Sequence, residues 1–225
     1  GARIAEQWQN SADLTYHALA VLDRVQAGNN IRGEMRQLDE DTQYALNQQR
    51  NRNDALLKIS DLHKATMLQQ DRRTLQKTLK IIDVNGKGVS AYWSFAELNE
   101  QLQLALRALP LRTAVIVDDV GGLNEIVQAA SANAGFQLDD TNAQAYQLAS
   151  SLQAQDAFKR NNWYWLRATL KIELIAQDGD TVIGYKSWPL KVSGSSTEQL
   201  PTRMRKAVDE KLTQELLNSM LAFAL

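Results

Sequence analysis

Apolar residues in the first part of the chain recur at threes and fours. Ile4, Trp8, Ala12, Leu19, Leu22 and Val25 fall on one stripe, which predicts a helix over Ala2–Gln26. Gly28-Asn29-Asn30, with Gly33 close behind, reads as a break. A second helical stripe starts near Glu34 and runs through Met35, Leu38, Ala45, Leu56, Ile59, Leu62 and Leu68. Its middle, Asn47–Asn53, holds only Gln, Asn and Arg, so it is an exposed mid-helix or a break, and Gln48–Asn53 is expected to face solvent. Residues 1–77 therefore predict a long helical hairpin or arm; the alternative is a helical subdomain packed on the rest.

From Thr78 the period changes. Leu79–Val84 is rich in β-formers and ends at the turn cluster Asn85-Gly86-Lys87-Gly88, which predicts a strand. Ser94-Phe95-Ala96-Glu97 has the spacing of a capping box, and Phe95, Leu98, Leu102, Leu106 and Leu109 line one face of a helix that Pro110 stops. Thr113–Val117 is a continuous apolar run suited to a buried strand. Gly121-Gly122 leads into a helix with Leu123, Ile126, Val127 and Ala130 inward, ending at Gly135.

The clearest β signal lies in residues 148–192. In Tyr164–Leu174 the even positions are apolar and Arg167, Thr169, Lys171 and Glu173 are polar, the signature of a half-buried strand. Asp178-Gly179 is a hairpin turn and residues 181–192 return. Strands are expected at 113–118, 148–158, 163–176 and 181–193 in one sheet. A second capping box, Ser195–Glu198, precedes a helix over 197–223 that buries Leu200, Met204, Val208, Leu212, Leu216 and Met220. The fold class is α+β: an N-terminal helical hairpin or arm (1–77), then an α/β domain (78–225). That domain has a mixed sheet, an antiparallel three-strand meander and a long C-terminal helix.

Composition adds exclusions. The 225 residues are 44% hydrophobic and 23% charged, ordinary globular usage, and the net charge of −1 gives no global basic field for nucleic acid or an anionic membrane. Cysteine is absent, which excludes disulfides, thiolate chemistry and cysteine-ligated metals and fits an oxidising compartment such as a periplasm. No apolar run approaches the roughly 20 residues that span a bilayer. Gly1 reads as a processing or tag-cleavage scar, with a targeting segment removed ahead of it.

No residue set has the pattern of a catalytic site, and no cofactor or metal is expected. Asp83-Val84-Asn85-Gly86-Lys87-Gly88 begins like a calcium loop, but Lys87 stands where a ligand oxygen belongs and Ser94 occupies the last ligand position. Gly86-Lys87 lacks the spacing of a phosphate loop. Gly121-Gly122 precedes a helix but follows Asp118 and Asp119, which repel an anion. His17 and His63 sit in helical patterns without triad partners. Asp118-Asp119 and Asp139-Asp140 are adjacent carboxylates that suit either acid/base work or turn chemistry. Trp163 and Trp165 fall on the odd face of their strand, with Tyr185 and Trp188 on the next. If exposed, these aromatics form a partner surface, with Trp163, Trp165 and Tyr185 as anchors; the alternative is that a helix covers them.

The segment Asn162-Trp163-Tyr164-Trp165-Leu166-Arg167-Ala168-Thr169-Leu170-Lys171-Ile172-Glu173-Leu174, followed by Asp178-Gly179 and Val182-Ile183-Gly184, resembles a pattern of Gram-negative envelope lipoproteins. That pattern belongs to relatives of the TolB amino-terminal domain: penicillin-binding-protein activator, curli-secretion and flagellar-ring lipoproteins. The resemblance covers roughly residues 78–225 and consists of element order and turn chemistry. It implies a non-catalytic, periplasmic partner-binding or assembly module of an envelope machine. Such a module takes envelope proteins as partners and no nucleic acid, and is held at the outer membrane by a removed N-terminal anchor. The competing expectation is a small-ligand-binding domain or hydrolase using Asp118 and Asp119. A third is a coiled-coil structural protein driven by the helical arm.

Overall fold

The computed structural model describes residues 2–83, 85–139, 141–142 and 145–223. The fold is α+β. Two compact units form: one from Gly1–Asn51 and Asp61–Glu100, the other from Arg52–Ser60 and Gln101–Leu225. The boundary expected after residue 77 lies inside a helix that runs over Ala55–Ile82.

The first unit opens with a two-stranded antiparallel hairpin, β1 (Ala2–Gln9) and β2 (Tyr16–Leu22), where the sequence predicts a helix. Residues four apart share a face in a helix and in a regular strand alike, so the spacing of Ile4 and Trp8 fits both; here a bulge between Ile4 and Glu6 puts them on opposite faces of the hairpin. Turn chemistry decides between helix and strand: Asn10 and Asp13 accept the backbone N–H of Ala12 and Thr15, and Leu14 takes φ 58° between them.

Helix α1 (Arg24–Asn51) then starts on an Asp23 cap, whose carboxylate accepts the N–H groups of Val25 and Gln26. It runs straight through Gly28-Asn29-Asn30, the expected break. Gly28 is buried with Leu79 of the following helix close by, and it takes helical backbone rather than a turn. The true break is at 52–54, where Asp54 accepts the N–H of Leu57 and starts α2 (Ala55–Ile82). None of Gln48–Asn53 is buried. The predicted strand Leu79–Val84 is instead the last turn of α2 as far as Ile82, with Leu79 buried; Val84 lies outside the described residues. A short apolar run fits either element, and here the helical stripe continues.

Within this unit α1 and α2 form an antiparallel pair. Arg72 of α2 is buried, ion-paired to Asp39 of α1 at 2.7 Å, and also donates to the Ser90 carbonyl at 2.7 Å. Gln69 links Asp39 and Thr42. Helix α3 (Phe95–Ala108) follows, capped by the Ser94 hydroxyl, which accepts the N–H of Glu97.

The second unit holds a five-stranded mixed sheet. Strand β3 (Leu111–Asp118) pairs in parallel with β4 (Tyr146–Ala154), and β4 is antiparallel to β6 (Trp163–Ile175). The expected strand over 148–158 is interrupted: after β4 the chain leaves the ladder and returns as the short β5 (Phe158–Arg160), which joins the same edge of β6. Strand β7 (Val182–Gly194) pairs along the whole opposite edge. The even residues Leu166, Leu170, Ile172 and Leu174 are buried, as their alternation predicts. Helices α4 (Leu123–Asn133) and α5 (Gln199–Phe223) cover this inner face. Gly121, Gly122 and Gly135, all at positive φ, frame α4. The cap of α5 differs from the expected box: Gln199 Oε1, not a residue of 195–198, accepts the Ser195 N–H.

Candidate functional site

The carboxylates that carried the hydrolase expectation are engaged by backbone. Asp118, at the end of β3, accepts the N–H groups of Gly121 (2.8 Å), Leu123 (2.9 Å) and Val120 (3.3 Å), so both its oxygens fix the turn into α4. Asp119 accepts the N–H of Ala154 at 2.8 Å and ties that turn to β4. A shallow cleft of about 360 Å³ beside Asp119 is lined by Asp156, Gln155 and Thr197 as well as by the apolar Ala154, Leu166 and Leu200. Asp139 takes the same turn role toward Thr141, whose hydroxyl and N–H hold its carboxyl below the usual range; Asp140 lies outside the described residues. For Asp118, Asp119 and Asp139 these are the geometries of loop locks.

The other candidates are likewise structural. Asp83 of the would-be calcium loop is ion-paired to Arg32 at 2.8 Å. Among the described residues no group of three or more His, Asp or Glu is placed to hold a metal. His63 is half-buried and burial lowers its pKa. His17 stacks on Trp8, with ring centroids 5.3 Å apart, and exchanges a hydrogen bond with Thr15.

Two exposed surfaces among the described residues bear on partner binding. The first is the β1–β2 hairpin, exposed along both strands on both faces. One face carries Ile4, Tyr16 and Leu22, the other Trp8, Leu19 and Val21. Trp8 is 51% and Tyr16 82% exposed. An isolated two-stranded hairpin has little stability of its own, and bare apolar strands offer both side chains and unpaired backbone to a partner. The sequence pattern hides this surface because it mimics a helix.

The second surface is the outer face of the sheet, opposite α4 and α5. Trp163 is 47% and Tyr185 65% exposed there, while Trp165 is half-buried. The strand register separates them: Tyr185 stands opposite Glu173, eight residues along β6 from Trp165, so the three aromatics share a face without forming one cluster. Trp188 is not part of it. It stands opposite Leu170 on the inner face, is buried, and donates its indole N–H to Glu215 of α5 at 3.1 Å. Cations stand over the aromatics: Lys191 lies 4.1 Å from the Trp165 ring centre, Arg167 5.1 Å from Phe158 and Lys171 5.3 Å from Tyr185.

No family model and no curated protein matches this chain. Among solved structures it is similar to a minor lipoprotein from Acinetobacter baumannii, at 15% identity over 51% of this chain and 91% of that one, TM-score 0.40. A Xanthomonas campestris protein of the DUF330 family model gives 13% identity, 51% and 83% coverage and a TM-score of 0.36. Rare lipoprotein B from Shewanella oneidensis gives 12%, 50% and 91%, and 0.29. These neighbours are thus mostly bacterial lipoproteins at low identity, and at such TM-scores the likeness carries no argument about this chain. No helix among the described residues is long and apolar enough to cross a membrane.

Proposed function

We propose that this chain is a non-catalytic partner-binding or assembly module of a Gram-negative cell envelope, working in the periplasm. The observation that carries the reading is the β1–β2 hairpin, whose large apolar side chains lie bare on both faces. A hairpin of this kind gains its stability from what it docks on. The absence of cysteine suits the compartment, and the backbone-bound state of Asp118 and Asp119 weighs against the hydrolase alternative. The hairpin is the surface for an envelope protein. The outer sheet face, with Trp163, Trp165 and Tyr185, is a second docking surface.

The test is site-specific photo-crosslinking in intact cells. A photoreactive residue at Tyr16 should give one discrete adduct with an envelope protein, and the same residue at the exposed Lys206 of α5 should give none. Recovery of the protein in the cytoplasmic fraction, or equal adducts from both sites, overturns the reading. So does loss of biological activity in Asp118→Asn/Asp119→Asn with an unchanged circular dichroism spectrum and melting temperature, beside wild-type behaviour in Trp8→Ser/Tyr16→Ser.

A further inference from the structure

The net charge of the chain conceals how its cations are distributed. Cross-strand partners share a face, so the outer surface of β5, β6 and β7 can be read row by row from the register. Arg160 lies opposite Trp163, Phe158 opposite Trp165, and Arg167 opposite Lys191; Lys171 and Glu173 follow further along β6. Four cations against the single carboxylate Glu173 leave three net positive charges on this face. Lys171 answers Glu173 at 2.7 Å. Arg160, Arg167 and Lys191 have no ion-pair partner among the described residues, and all three are exposed. The three span about 13 Å along β6 at the strand rise.

We propose that this face docks on an anionic lipid surface. The inference rests on the reading of the sheet face as a docking surface and names what it docks on. Charge complementarity is the first argument: neighbouring Lys and Arg side chains without internal carboxylates are what a negatively charged membrane surface attracts. The aromatics supply the second. Trp165 and Phe158 have a ring face occupied by Lys191 and Arg167, so they hold the cations in place instead of offering free ring faces for nucleic-acid bases to stack on. Trp163, beside Arg160 and half-exposed, is an indole at the level of the cations, where tryptophan sits in a headgroup layer. The third argument is shape. The recess between Arg167, Thr169, Pro189 and Lys191, about 340 Å³, opens to solvent, so the cations that line it stay accessible to a surface.

The test is co-sedimentation of the full chain with vesicles of phosphatidylcholine, with and without phosphatidylglycerol. Binding is expected only with phosphatidylglycerol, and loss of binding as salt shortens the screening length from about 8 Å toward about 3 Å. Each cation near such a surface is worth about fivefold, so Arg167→Gln/Lys191→Gln should bind about 25-fold more weakly. Arg160→Gln alone should bind about fivefold more weakly. These side chains are exposed, and an unchanged circular dichroism spectrum confirms that each variant folds. Trp8→Ser/Tyr16→Ser should bind vesicles normally, which separates failure of this inference from failure of the hairpin reading. Equal binding to both vesicle types, no binding, or undiminished binding by the double variant overturns the proposal. So does charge-dependent binding of polyglutamate or a single-stranded oligonucleotide in place of vesicles, which hands the face to a different ligand.

Discussion

The Arg72–Asp39 pair is the perturbation that reaches furthest into the first unit. Arg72 is buried and spends its donors on Asp39 and on the Ser90 carbonyl, which ties the segment before α3 to the α1–α2 pair. Removing one partner of a buried pair leaves an uncompensated charge, at a cost of about 3–5 kcal/mol. Arg72→Met strands Asp39 with only Gln69 as donor, and Asp39→Leu strands the guanidinium with only Ser90. Each single variant should lose stability in that range. In Asp39→Leu/Arg72→Met no charge is left behind. What is left is the carbonyl of Ser90, an exposed residue that water can reach, and one Gln69 N–H, whose amide still has Thr42 as acceptor, so the remaining penalty is at most that of one buried polar group, about 1–3 kcal/mol. The double variant should therefore be more stable than either single variant, with a coupling of several kcal/mol. Urea unfolding followed by tryptophan fluorescence measures all four proteins. Single losses below about 1 kcal/mol, or additive losses in the double variant, would refute the reasoning, because either means that water already screens the pair.

Three further outcomes are expected. Leu170→Ala, on the buried centre of β6, should lower unfolding free energy by about 2–5 kcal/mol in the same assay, and a loss under 1 would mean the site refills. Glu215 accepts hydrogen bonds from Lys186, Lys211 and Trp188, which hold its carboxyl down at about 2 against an ordinary 4.5. Its stabilising effect is thus full above pH 4.5 and fades as pH falls toward 2, so Glu215→Gln should flatten the acid limb of a pH–stability curve. Burial, and then the charge and hydrogen bond of Asp54, push Tyr146 up to about 12 from 10, so the fold keeps this phenol neutral. Stability is therefore lost as pH rises from 10 to 12. Ultraviolet titration should show one tyrosine ionising late, absent in Tyr146→Phe.

Where one residue period dominated, the sequence was readable. The alternation of Leu166, Ala168, Leu170, Ile172 and Leu174 placed β6 in its correct phase, and the turn at Asp178-Gly179 placed β7. Where two periods coincide, it was not. The spacing of Ile4 and Trp8 fits a helix and a regular strand equally, and the bulge between Ile4 and Glu6 that puts them on opposite faces has no sequence signal, so the hairpin passed for a helix. Leu79-Lys80-Ile81-Ile82 satisfies both as well, and passed for a strand while continuing α2. Gly28 looked like a breaker, but a single glycine is tolerated inside a long helix whose buried stripe continues on either side of it. The same limit applies to the sites. Strand phase put Trp163 and Trp165 on the outer face, but only pairing shows that Trp188 is turned inward and that Lys191, Arg167 and Lys171 stand over rings. The Arg72 network has no sequence signal, since its three elements meet only after folding.

Helix α5 follows, in chain order, every strand it covers. During synthesis or export the sheet residues appear first, and the aliphatic row of Leu166, Leu170, Ile172 and Leu174 has no complete cover until α5 emerges. In that interval the nascent chain presents a pleated apolar surface and the long edges of β3 and β7, the combination that recruits chaperones or pairs with other chains. A chain cut short within α5 would stay in that state. Proteolytic clearance, rather than slow loss of activity, is then the expected fate of such truncations.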